Sequence, residues 1–137
     1  MSLVYPLLTL SLYHCKVPSD KLVFRAKTEW RLGRTLEQAE LAGQERINRW
    51  LEVERAFQSL ARYFKDRYQP YLLGNKMTYC DFELVGWLLA FKLMSPTECW
   101  ATYMAKWDGG RWLVYLSRFN SWMTLRDHDE IMSYAHL

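Results

Sequence analysis

Apolar residues recur at helical spacing along most of the chain, and no segment alternates strictly between apolar and polar positions. From Leu36 to about Tyr68, a charged stretch carries Ile47, Trp50, Leu51, Phe57, Leu60, Ala61 and Phe64 on one i, i+3, i+4, i+7 stripe. Trp100, Tyr103, Met104 and Trp107 mark a further helix, and Trp112, Tyr115, Leu116, Phe119, Trp122 and Met123 the last. Residues 20–32 interleave Leu22, Val23, Phe24 and Trp30 with Arg25, Lys27, Glu29 and Arg31. Residues 3–15 are mostly apolar and read as a short helix or an extended lead-in. The run from Phe82 to Met94 is apolar nearly all round, which predicts a buried helix. The pattern predicts an all-α fold, an irregular bundle of about five to six helices.

Polar residues set the boundaries. Val17-Pro18-Ser19-Asp20 is a break, with Ser19 expected to cap the next helix. Gly33 interrupts that helix, and Thr35-Leu36-Glu37-Gln38 restarts it as a capping box. Gln69-Pro70-Tyr71 stops the long charged helix, since proline cannot continue the hydrogen-bond ladder. Ser95 caps a helix with Pro96 at its first position, and Asp108-Gly109-Gly110 is a turn. Thr78 and Asp81, three residues apart at the mouth of the apolar run, form a second capping box. A buried helix start has to satisfy its own N–H groups, so both polar groups serve the backbone and neither is left for catalysis.

The 137 residues suffice for one domain with a real core. An apolar share of 50%, with 7 Trp, excludes disorder. A formal charge of +3, spread along the chain, gives no nucleic-acid footprint, and the charge run from Arg46 to Arg67 reads as a solvated helix face. Cys15, Cys80 and Cys99 are too widely spaced for a metal or redox motif and read as reduced thiols, with Cys80 expected in the core between Tyr79 and Phe82. His14, His128 and His136 lack metal-ligand spacing, and no metal site is expected. The apolar stretch from Leu3 to Tyr13 lacks a basic leader and falls short of the roughly 20 residues of a membrane span, so no membrane partner is expected. The aromatic stripes read as core packing, with a pocket wall for an aromatic ligand as their alternative.

The box and its surroundings resemble the C-terminal helical domain of the glutathione transferase superfamily. There a Gly loop, then Thr or Ser, two residues and Asp cap a buried core helix; Gly74, Thr78, Asp81 and Phe82 supply that pattern. Other stretches are similar to the etherase-like subgroup of fungi and bacteria. Phe24-Arg25, Glu29, Gly33 and Thr35-Leu36-Glu37 resemble its first helix and kink, Tyr71-Leu72-Leu73-Gly74 its loop, and Ser95-Pro96 with Glu98 its next helix start. Where that subgroup carries Thr-Arg-Glu, this chain reads Lys27-Thr28-Glu29. Val17-Pro18 and Ser19-Asp20 are superficially similar to glutathione-binding elements of the superfamily, which lie apart on different elements, and here they read as a helix start.

The resemblance covers about residues 20–125 and implies an apolar lead-in over 1–18, a helical domain over 19–125 and a polar tail over 126–137. It implies a cytoplasmic protein that supplies the hydrophobic substrate wall for glutathione conjugation, or for glutathione-dependent cleavage of aromatic ethers. By position in the family, Phe24, Lys27, Thr28 and Arg31 would face that substrate, a small hydrophobic electrophile. Glutathione would be the cosubstrate, with no cofactor bound by this chain alone. The residue that activates the thiol would belong to an N-terminal thioredoxin-like domain, which this chain is expected to lack, so no catalytic residue is expected here. That domain, or a second copy of the chain, would be the partner. The alternatives are a stand-alone helical module for protein–protein interaction and a truncated product with no function of its own.

Overall fold

The structure, a computed structural model, describes residues 3–123. The tail over 126–137, with His128 and His136, lies outside the described residues. The fold is all-helical, and the one non-helical pairing among the described residues is an isolated bridge between Tyr71 and Gly74.

Helix α1 (Tyr5–His14) buries Leu7 and Leu8 in the core. Helix α2 (Pro18–Leu32) starts two residues earlier than its polar cue implied. Proline's preset φ opens it at Pro18, so Ser19 lies inside the first turn and does not cap. Gly33 ends α2 at φ 67° and sends its N–H to the Glu29 carbonyl at 2.8 Å. The expected box at Thr35 opens only the single turn α3 (Leu36–Ala39).

The long segment expected from Leu36 to Tyr68 is therefore broken, and its main part is α4 (Gly43–Ala61). Between α3 and α4 the Leu41 N–H bonds to the Pro6 carbonyl at 3.3 Å, which ties the break to α1. At the far end, Gln69 takes over the backbone before Pro70 is reached. Its side chain accepts from the Lys65 N–H and donates to the carbonyls of Tyr63, Tyr71 and Leu72, all within 3.1 Å. A nearly buried amide using all these groups organises a loop with little apolar surface of its own.

Helix α5 (Tyr79–Met94) runs where expected. After Ser95, whose hydroxyl accepts the Cys99 N–H, the chain winds into a π helix over Pro96–Met104. A 3-10 turn over Trp107–Gly110 leads to α6 (Arg111–Ser117) and α7 (Asn120–Met123). Trp50, Val53, Phe57, Leu84, Leu88, Met104, Trp112, Tyr115 and Phe119 meet in one core. Tyr103 stacks on Trp50 with ring centroids 4.6 Å apart, so the aromatic stripes are mostly core, although Trp122 is 67% exposed.

Two expectations of burial are overturned. The π helix, α1 and α6 cover α5 on the side of Leu84, Val85, Leu88 and Phe91, whereas Tyr79, Phe82, Trp87 and Leu93 remain exposed. On that second side Phe82 meets the rings of Phe119 and of Trp122 in α7, and it is still 44% exposed. Cys80 lies on the same uncovered side and is exposed, as is Cys15; Cys99 is buried.

Candidate functional site

The capping box at Thr78 closes as a larger buried cluster. The Asp81 carboxylate, fully buried, accepts the Thr78 N–H at 2.8 Å and its hydroxyl at 3.0 Å on Oδ2. Its other oxygen accepts the Leu72 N–H at 2.8 Å and the Tyr115 hydroxyl at 2.7 Å. Burial pushes this carboxyl up, but the four donors outweigh it and hold it below its usual range. Tyr115 is driven the other way, by its burial and by the carboxylate it serves. An ionised carboxylate with every oxygen engaged has no capacity left for a substrate proton. This cluster joins the Leu72 loop, α5 and α6, and its work is structural.

A second cluster holds α1, α4 and the π helix together. Arg46 donates to Glu98 through Nε at 2.6 Å and Nη2 at 2.5 Å, and to the carbonyls of Leu41 and Leu7 at 2.9 and 3.0 Å. The Trp50 indole adds a bond to Glu98 at 3.2 Å. The guanidinium holds the Glu98 carboxyl low, whereas burial pushes nearby Glu40 up despite its own contact with Arg46. Arg46 was expected on a solvated face; it is instead a clasp between elements, because its guanidinium reaches the Leu41 carbonyl at the α3–α4 break and the Leu7 carbonyl on α1.

The outer side of α2 is different in kind. Ala26, Lys27, Thr28, Trp30 and Arg31 line a wide, open hollow of about 660 Å³. Trp30 is 87% exposed, and Leu22 and Val23, earlier on α2, are exposed as well. Arg31 is fixed by donating to the Tyr5 hydroxyl at 2.7 Å and by lying 5.0 Å over the same ring. Of the four residues expected to face a substrate, Lys27, Thr28 and Arg31 therefore meet at one hollow. Thr28 is only 5% exposed and forms its back, and Phe24 sits apart, against the Tyr13 ring and under Lys16.

Beside the hollow, Arg25 ties the kink at Gly33 together. It bonds Glu29 at 2.9 Å and grips both oxygens of Glu37, at 2.8 and 3.1 Å, while Glu29 also accepts the Leu36 N–H. The grip of Arg25 takes the exposed Glu37 carboxyl down to about 2. The family resemblance brought Arg25, Glu29 and Glu37 to notice as a pattern and gave no hint of this contact, which spans twelve residues. Tyr115, Gln69 and the Arg46–Glu98 clasp left no local signal either. Among the described residues, no group of three His, Cys, Asp or Glu converges as a metal site, and no helix is long and apolar enough to cross a membrane.

The architecture matches known proteins. A glutathione S-transferase of Ceriporiopsis subvermispora, solved in complex with glutathione, superposes with a TM-score of 0.80 at 23% identity, over 92% of this chain and 52% of its own. A glutathione transferase of Phanerochaete chrysosporium gives a TM-score of 0.76 at 16% identity, over 91% of this chain and 50% of its own. The chain thus spans about half the length of these solved structures. No curated protein sequence matches it. The family described as glutathione S-transferase, C-terminal domain, matches residues 1–122. With that match and the capped α5 at its centre, this chain belongs to the family of glutathione S-transferase C-terminal domains.

Proposed function

We propose that this domain forms the hydrophobic substrate wall of a glutathione-dependent transferase that conjugates glutathione to small hydrophobic electrophiles or cleaves aromatic ethers with it. The observation that carries this reading is the α2 hollow. Trp30 and Ala26 offer an apolar surface there, and Lys27 and Arg31 set positive charge at its edge. The ether-cleaving branch of this reading rests on the resemblance to the etherase-like subgroup, whose Arg25, Glu29 and Glu37 pattern here forms an ion-paired kink.

Glutathione is the cosubstrate in this reading. A thiolate must be stabilised by a positioned donor, and the buried Tyr115 hydroxyl of these helices is already given to Asp81. Thiol activation is therefore assigned to a thioredoxin-like domain that packs along α2, and catalysis to the assembly of both. The setting proposed is the cytosol, where the exposed thiols of Cys15 and Cys80 stay reduced.

Two measurements test the reading. Applied to immobilised glutathione, the 137-residue chain is expected to pass through unretained and to conjugate no chlorodinitrobenzene. It is nevertheless expected to bind an anionic aromatic fluorophore at the hollow, with binding lost in Trp30→Ser. Turnover by the chain alone would overturn the division of labour. Fluorophore binding unchanged in Trp30→Ser would remove the substrate wall from α2.

A further inference from the structure

We propose that a second cavity, sharing no residue with the α2 hollow, binds a small phosphate monoester. It lies between the segment after α4 and one side of α6 with the turn before it, with a volume of about 360 Å³, toward the lower end of small-molecule pockets. Three guanidiniums line it, Arg67 from the loop and Arg111 and Arg118 from α6 and its C-cap, against the single carboxylate of Asp108. The cavity thus carries an excess of two positive charges, the complement of a phosphate dianion. Planar guanidiniums also match the paired oxygens of a phosphoryl group.

Two of these arginines are held in place. Arg111 is ion-paired with Asp108 and lies 5.2 Å over the Phe64 ring, and Arg118 donates one bond to the Pro70 carbonyl at 2.7 Å. Each guanidinium has five N–H donors, so both keep several for a ligand. Arg67 is exposed, lines the cavity, and has no hydrogen bond or ion pair to any described residue, so its donors remain available to a ligand.

The backbone supplies an independent observation. Asp108, Gly109 and Gly110 are successive left-handed residues, at φ 51°, 64° and 85°. Asp108 is the one described non-glycine residue with positive φ, a strained placement of a kind that clusters at ligand-holding turns. That turn forms one wall of the cavity and aims the Asp108 carboxylate at Arg111. Phe64 and Val114 add apolar surface beside the arginines, so an organic group fits next to the phosphoryl oxygens.

The test uses the 137-residue chain labelled with nitrogen-15, titrated separately with phenyl phosphate and with inorganic phosphate. Phenyl phosphate is expected to shift the Gly109 and Gly110 amides and the arginine Nε signals saturably. In Arg67→Gln, which breaks no internal bond, its affinity is expected to fall about tenfold, the scale of one charge-assisted hydrogen bond. Weaker binding of inorganic phosphate identifies an ester as the ligand, and equal binding identifies phosphate itself. No saturable shift by about 20 mM, far above the ~1 mM dissociation constant of even modest binding, overturns the proposal. An unchanged affinity in Arg67→Gln with an intact thermal midpoint overturns it as well.

Discussion

Around Asp81 every polar group is answered from inside the chain, whereas along the outer side of α2 the chain leaves large apolar residues and two cations facing outward. Both regions lie at helix surfaces, and both hold side chains that sequence reasoning picks out. They differ in what surrounds them. Asp81 sits where α5, α6 and the Leu72 loop converge, so four donors can reach it. Trp30 sits where no described element arrives. A buried carboxylate with a displaced pKa is often taken as the sign of an active site. Here it is the reverse, since the shift is produced by saturation, and the open chemistry lies on the face where Trp30 and Lys27 stand exposed.

The comparison breaks most sharply if Asp81 is removed. Asp81→Ala strands the Leu72 and Thr78 N–H groups and the Tyr115 hydroxyl, at about 1–3 kcal/mol for each unpaired buried donor. A loss of about 3–5 kcal/mol in urea unfolding is expected, a large part of the ~5–15 kcal/mol that such domains hold. The same carboxylate sets an acid limit. Its folded pKa lies below its unfolded one, so its contribution is complete above the unfolded value of about 3.9 and drains away as pH falls through the folded value. Stability measured from pH 5 downward is expected to fall in the parent protein and to fall less steeply in Asp81→Ala. Equal slopes would mean that Asp81 is not ionised in the fold.

Tyr115→Phe removes one of the four donors and leaves the other three, so about 1–2 kcal/mol is expected by the same urea measurement. Glu98→Ala opens the Arg46 clasp. That pair is partly exposed and screened by solvent, so the expected loss is smaller, about 1 kcal/mol. If Glu98→Ala cost as much as Asp81→Ala, the clasp and not the capped helix would be the centre of the fold.

How much of this was legible follows from sequence distance. Thr78 and Asp81 lie three residues apart, and a helix start brings such a pair together whatever the rest of the chain does. The spacing therefore showed the box, the extent of α5 and the helical class. Leu72 and Tyr115 lie 9 and 34 residues from Asp81, and only the packing of α6 on α5 brings the hydroxyl in. Gln69 looked like a mere helix stop because its three carbonyl partners belong to a loop with no periodic pattern. The outer face of α5 was misread for a related reason: hydrophobicity reports what a helix would prefer to bury, and Tyr79, Trp87 and Leu93 show that the described residues cover this face too little to bury it. At the candidate site, Lys27, Thr28 and Arg31 were placed by family position, and spacing alone could not have separated them from Phe24.

The smallest effect on stability is expected at Trp30, and for that reason it is the most informative about function. A side chain 87% exposed gives up almost no burial when it is truncated, so Trp30→Ser should change unfolding free energy by no more than about 0.5 kcal/mol. The same change strips the hollow of its largest apolar surface. Covering even part of an indole with a ligand is worth about 1.5 kcal/mol or more, so affinity for an aromatic fluorophore should drop about tenfold. Stability held and affinity lost would separate the outer side of α2 from the Asp81 cluster, where every change is expected to register as stability. A loss of more than about 1 kcal/mol in the variant would instead make Trp30 part of the packing, since surface changes away from such features rarely reach that size. The contrast between the two regions would then collapse into one continuous core.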